Sequence, residues 1–202
     1  MLVGAVCGTM NAERDQAAAV IRPAAPGDEA GIASVHVSSW RTSYQGIMPD
    51  QVLQNLSVER STAMWQSQLE RDSIVTIFVA EWDRTIIGFA SGGPFRPDQA
   101  PPDFRPGFGC EVYAIYLLGR FKRQGIGGRL IERLGRELAG KGCRSMMLWV
   151  LADNEVARRF YEKMGGRVVG KKTDVFGGKE LVESAYGFDL SAGNDGAGLL
   201  LP

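Results

Sequence analysis

This 202-residue sequence predicts a mixed α/β domain: a mixed, mostly antiparallel sheet of about six to seven strands with helices on both faces. Three observations carry that expectation. The apolar period switches several times between the helical and the extended repeat. A glycine-rich turn stands between an apolar strand and an amphipathic helix. The resulting order is strand, helices, three strands, helix, strand, helix, two strands, which is neither an all-β meander nor a regular βαβ series.

Taken in order, residues 1–19 are alanine and charge without usable periodicity and read as a disordered leader, with Met10 an alternative start. A secretory signal is disfavoured because no basic residue precedes the mildly apolar Met1–Met10 segment. The domain is expected over 20–190, opening with a short strand at Val20–Arg22. Pro23–Asp28 supplies turn and helix-start chemistry for a helix to about Tyr44, with Ile32, Val35, Ser39 and Trp40 on one face. Pro49-Asp50 opens a second helix, and Ser57 a third that carries Met64, Trp65 and Leu69. From Ile74 the period becomes two, giving strands 74–81 and 85–91 around an Asp83-Arg84 hairpin turn. Residues 92–109 hold Pro94, Pro97, Pro101, Pro102 and Pro106, and read as a flap over a site. A central strand at 110–118, a helix at 126–139 with Leu130, Leu134 and Leu138 buried, and a buried strand at 144–151 follow. A helix at 154–164 and strands 167–175 and 182–190 complete the domain. Residues 191–202 read as a flexible tail.

Composition narrows the function. Twenty-three basic and 23 acidic residues cancel, so no global field draws the chain to nucleic acid or an anionic membrane, and any anion site must be local. No apolar run approaches the roughly 18 residues of a spanning helix. Cys7, Cys110 and Cys143 are odd in number and far apart in sequence, with no CxxC pair and a single histidine, His36. A cytoplasmic location and no metal are therefore expected, and Cys110 and Cys143, in or next to buried strands, read as inert thiols.

The turn Lys122-Arg123-Gln124-Gly125-Ile126-Gly127-Gly128 is the local anion site. The first amides of a helix lack intrahelical acceptors, the dipole is positive there, and glycine lets a pyrophosphate approach the backbone. Lys122 and Arg123 add cations at the rim. Glycines that merely pack the helix closely are the alternative. A dinucleotide fingerprint fails because Leu130 stands where its third glycine belongs. The P-loop look-alike at 165–172 follows a helix and has Lys172 in place of the magnesium-binding Ser/Thr.

Ile115-Tyr116-Leu117 followed by Lys122-x-x-Gly125-x-Gly127 resembles the acetyl-CoA signature of the GNAT N-acetyltransferase superfamily. Asn154-x-x-Ala157-x-x-x-Tyr161-Glu162-Lys163-x-Gly165 resembles its second motif, and Val35-His36-Val37-x-x-Trp40-Arg41-x-x-Tyr44 its first-helix region. The likeness covers Val20 to Leu190. It departs from the family at Lys122, where Gln or Arg is usual, and at Gly166, where an aromatic is common and a less packed helix end is expected.

The resemblance implies direct transfer of acetyl from acetyl-CoA, the co-substrate, to a primary amine of a small molecule or peptide, without a metal. The alternative is an inactive acyl-CoA-binding sensor. By resemblance, backbone groups of Ile115, Tyr116 and Leu117 face the pantetheine and acetyl carbonyl, the turn from Lys122 to Gly128 holds the pyrophosphate, and Asn154 and Ala157 lie along the arm. Tyr161 would sit near the sulfur; an aromatic core residue is its other reading. A neutral amine at pH 7 costs about 4.6 kcal/mol for a lysine side chain and ~1 kcal/mol for an α-amine, so a base matters most for the first. Glu111 is the candidate, acting directly or through water, and a solvated strand-end charge is the alternative. Tyr113, Tyr44 and Trp40 are candidates for the acceptor pocket, with Trp40 favoured as core and His36 as a satisfied helix histidine. The last strands offer an edge for a homodimer.

Overall fold

The computed structural model describes residues 19–70, 74–102, 104 and 107–191. The expected leader and tail therefore lie outside the described residues, apart from Ala19 and Ser191. Alternation of apolar side chains produces seven strands: β1 (Val20–Pro23), β2 (Thr76–Trp82), β3 (Thr85–Pro94), β4 (Cys110–Leu117), β5 (Ser145–Leu151), β6 (Arg167–Phe176) and β7 (Lys179–Asp189). They form one sheet in the order β1-β2-β3-β4-β5-β7-β6. Every neighbouring pair is antiparallel except β4–β5.

The helices are α1 (Glu29–Ser43), α2 (Asp50–Gln54), α3 (Val58–Leu69), α4 (Ile126–Gly140) and α5 (Glu155–Lys163). Their boundaries follow local chemistry. Ser57 caps α3 by accepting from the Arg60 amide at 3.2 Å, and Asn154 caps α5 by accepting from the Ala157 amide at 3.2 Å. Asp28, by contrast, makes no cap bond at α1. Its carboxylate is held by Arg22 at 2.7 Å, and Arg22 also reaches Glu81 at 2.6 Å. At the β2–β3 hairpin Asp83 and Arg84 both have positive φ, 47° and 57°, the twist a two-residue turn between right-twisted strands requires.

Period two along β2 explains the layering. Ile77 and Val79 face one side, with Ile32 and Val35 of α1, Trp65 of α3 and Phe89. Phe78 faces the other, with Leu130, Leu134 and Leu138 of α4 and with Met146, Leu148, Tyr161 and Tyr186. Each fully buried leucine of α4 contributes roughly 1.5–3 kcal/mol, so the helix face read from the sequence is also what fixes α4 on the sheet. A third cluster joins Met48 and Leu53 of the α1–α2 region to Leu151 and Leu181.

Two expectations are corrected. Cys110 and Cys143 are joined as a disulfide with Cα atoms 6.0 Å apart, because α4 returns the chain to start β5 beside β4. They are not free thiols. Gly166 is buried rather than loosely packed: a Cβ there would lie 2.6 Å from the Phe188 ring, so only glycine lets α5 end against β7. The flap segment also differs in part. β3 runs on to Pro94, and a short 3₁₀ turn spans Pro97–Gln99.

Candidate active site

The site begins where the sheet opens. β4 and β5 pair only at Cys110↔Met146 and Glu111↔Met147, after which they have no common rung. Against β3, the register of β4 jumps from Gly92↔Val112 to Ser91↔Ala114, which leaves Tyr113 as an extra residue. A β-bulge of this kind bends its strand and stops regular pairing. Ile115, Tyr116 and Leu117 thus keep β3 partners on one side and have none in β5 on the other.

At the top of this gap the chain turns into α4. Arg123 has φ 63° and Gly125 has φ 78°, two left-handed residues around Gln124 that turn successive amides toward one concave centre. The first intrahelical bond reaching Gly125 comes from the Arg129 amide, so the amides of Ile126, Gly127 and Gly128 have no acceptor within the helix. Gly125 is required by its φ, since nothing lies within 4 Å of a Cβ there. At Gly127 and Gly128 a Cβ would only touch Phe160 at 3.4 Å and Met164 at 3.5 Å of α5. Close packing alone therefore does not demand either glycine. Lys122 reaches back to Ser43 Oγ at 3.4 Å, Gln124 donates to the Arg120 carbonyl at 3.0 Å, and Arg123 is exposed.

Three phenols converge on the gap. Tyr44 Oη and Tyr116 Oη are 3.2 Å apart. Burial, followed by the field of Tyr44, pushes the Tyr161 phenol far above its ordinary value, and burial does the same at Tyr116. Tyr44 is raised by burial as well, with a further push from the Glu183 charge. All three are hydroxyl donors at neutral pH. Asn154 is placed by its own capping bond, which occupies Oδ1, and Ala157 packs beside it on the core side of α5.

Glu111 is not a solvated strand-end charge. Its side chain is 2% exposed and accepts three bonds from Arg96: Nη2 to Oε1 at 2.6 Å, and Nε and the amide to Oε2 at 3.2 Å. The Arg96 guanidinium also lies 4.0 Å over the Tyr113 ring, whose hydroxyl donates to the Pro94 carbonyl at 2.6 Å. Trp40 meets Tyr44 edge-on at 5.2 Å. His36 stacks on Tyr116 at 5.3 Å and accepts from Trp65 Nε1 at 3.3 Å. Burial lowers its pKa to about 4, so it is a neutral member of the wall.

The structure adds residues that sequence reasoning passed over. Glu183 pairs with Lys172 at 3.1 Å, Lys172 Nζ lies 4.9 Å over the Trp149 ring, and Phe104 packs on Trp149 at 5.0 Å. Each is a single charged or aromatic residue in an otherwise ordinary strand or loop. Arg96 was passed over as well, and its role appears only where the fold sets its guanidinium against the buried Glu111 carboxylate. Among the described residues no group of His, Cys, Asp and Glu could hold a metal, and no helix is long and apolar enough to cross a membrane.

Known proteins resemble this chain in sequence and in fold. The family model described as acetyltransferase (GNAT) family matches residues 38–166. The chain is 36% identical over 174 residues to the uncharacterized N-acetyltransferase YuaI of Bacillus subtilis, covering 85% of this chain and 94% of that protein. It is 32% identical to the probable N-acetyltransferase Rv2775 of Mycobacterium tuberculosis, covering 75% and 81%. In fold it is similar to the PaiA N-acetyltransferase of Thermoplasma acidophilum, solved in complex with coenzyme A, with TM-score 0.64 at 22% identity over 82% of this chain and 98% of that one.

Proposed function

This chain belongs to the GNAT family of acetyltransferases, and we propose that it transfers the acetyl group of acetyl-CoA directly to a primary amine, on the site between β4 and β5. The observation that carries this reading is the combination of a bulged, half-unpaired β4 with free helix amides at its end. Amides of Ile126 to Gly128, with Lys122, Arg123, Gln124 and Gly125, suit the pyrophosphate. Unpaired backbone groups of Ile115, Tyr116 and Leu117 suit the pantetheine arm and the acetyl carbonyl, which such amides polarise as charge develops. Asn154 and Ala157 flank the arm from α5.

Tyr161 is proposed to hydrogen-bond the departing sulfur rather than to surrender its proton, because a phenol raised by burial is a weaker acid than the thiol it would protonate. Tyr44, Trp40 and Tyr113 are proposed as acceptor-side wall. Glu111 was the expected base, but the three bonds from Arg96 occupy its carboxylate and suit it better to bracing the start of β4. A cytoplasmic location, where the thioester is available, belongs to the same proposal. It no longer has the support of free cysteines. A homodimer would use the edge strand β6, where Val168 and Val175 are exposed. Neither nucleic acid nor membrane enters this reading.

The test is thiol release from acetyl-CoA with a panel of amines. Release with at least one amine is expected, whereas binding without release from any amine supports an inactive sensor. For the turn, Gly127→Asp is expected to raise the Kd for CoA about a hundredfold, roughly 2.7 kcal/mol, with folding retained. An unchanged Kd in the folded variant removes the pyrophosphate from this turn.

A further inference from the structure

The carboxylate at the height of the three phenols is Glu183. Counting up both strands from the Glu111↔Met147 rung, and allowing one residue for the bulge, Tyr116 stands level with Leu151. The partner of Leu151 on β7 is Glu183. Directly opposite residues on adjacent strands share a face, and Leu151 packs in the cluster that contains Tyr44 and Trp40. Glu111 lies four rungs lower, about 13 Å at the usual strand rise. Glu183 therefore flanks the gap where Tyr44 and Tyr116 meet, and its charge acts on the Tyr44 phenol.

Its surroundings differ from those of Glu111. Lys172 holds Oε2 at 3.1 Å, and both side chains are 13% exposed. The other carboxylate oxygen has no partner among the described residues. The charged groups that act on Glu183 are Lys172 and Asp174 of β6 and Glu111 of β4, and burial raises its pKa against the pull of Lys172. Trp149 Nε1 is buried without a hydrogen-bond partner among the described residues, whereas the Trp40 indole is turned toward the Tyr116 hydroxyl. Beside Trp149, on which Phe104 packs, an open groove of about 600 Å³ is lined by Phe95, Pro97, Phe104 and Phe108.

We propose that Glu183 binds the ammonium of the acceptor and takes its proton, and that the acceptor is a cationic primary amine whose apolar or aromatic body lies in the Phe95–Phe104–Phe108 groove. This rests on the acetyl-transfer reading above. One ammonium proton passes to the Glu183 carboxylate and from there to solvent. The freed nitrogen pair forms the C–N bond to the acetyl carbon. The C–S bond breaks with its pair on sulfur, hydrogen-bonded by Tyr161, and the second proton leaves nitrogen for that sulfur, giving amide and thiol. Lys172, whose charge and hydrogen bond pull against the effect of burial, favours the carboxylate form of Glu183 while no substrate cation is bound.

The experiment compares wild type with Glu183→Gln on two amines at pH 7: 2-phenylethylamine, which is protonated, and 2,2,2-trifluoroethylamine, which is already neutral. For phenylethylamine kcat/KM is expected to fall by about a hundredfold or more and then to rise with pH toward the pKa of the amine itself. For trifluoroethylamine the two proteins are expected to agree within a factor of about three, since no proton need be removed. Lys172→Gln is expected to move the acidic limb of the wild-type profile to higher pH, a shift that a merely structural ion pair would not cause. Equal losses on both amines, or no loss on either, overturn the role of Glu183. If Glu183→Gln does not bind CoA as a folded protein, Glu183→Asp replaces it in the same comparison. Absence of thiol release by wild type with every amine overturns the proposed function itself, and this inference with it.

Discussion

Tyr161 stays protonated well beyond ordinary pH because burial and Tyr44 oppose its ionisation. Its proposed hydrogen bond to a leaving thiolate is of the charged kind, about 1.5–3 kcal/mol, so Tyr161→Phe is expected to lower kcat roughly ten- to hundredfold. The Kd for CoA, measured by calorimetry, should hardly change; full activity would return Tyr161 to the core. His36 carries a different prediction. Its folded pKa, about 4, lies below the unfolded value near 6.5, so between those limits the unfolded chain binds more protons. The contribution of neutral His36 is complete above about pH 6.5 and is lost as pH falls toward 4, up to about 3 kcal/mol. Urea midpoints should therefore fall from pH 7 to pH 5, and fall less steeply in His36→Gln. At this scale Gly125 was legible, because its positive φ restricts which residue can stand there, whereas the close packing of Gly166 on Phe188 was not. Arg96, Lys172 and Glu183 were not. Their meaning depends on register, and Glu183 acquires a partner only once Lys172 is known to stand opposite it.

The elements were legible wherever period, cap and turn coincide. α3 starts after Ser57 and α5 after Asn154, where their side chains satisfy helix amides, and the Asp83-Arg84 turn joins β2 to β3 as expected. The bulge at Tyr113 left no trace in the sequence, since apolar and aromatic residues run unbroken through 112–118. The Cys110–Cys143 pair was hidden for a related reason. It joins β4 to the approach of β5, neighbours only because α4 carries the chain back alongside. Alkylation of the denatured, unreduced protein should modify Cys7 alone, and reduction should expose two further thiols, as read by intact mass. Labelling of all three without reductant would show that Cys110 and Cys143 are thiols after all.

Across the whole molecule, composition excluded a global anion field and the element order identified the mixed sheet with helices on both faces, while the acceptor side had to be seen assembled. Its walls come from α1, the β3–β4 connection, β5 and β7, four segments whose meeting no local pattern announces. The two-rung junction of β4 and β5 has a further consequence. Two leaves of sheet, β1 to β4 and β5-β7-β6, share almost no backbone seam, so the molecule is least knitted together where the reaction is proposed to occur. Deleting Tyr113 would leave every later β4 side chain on its present face, because the bulge alone offsets Val112 from Ile115. The seam could then close along its length. Such a variant is expected to melt higher than the parent and to lose CoA binding: a tighter fabric with no slit for the thread.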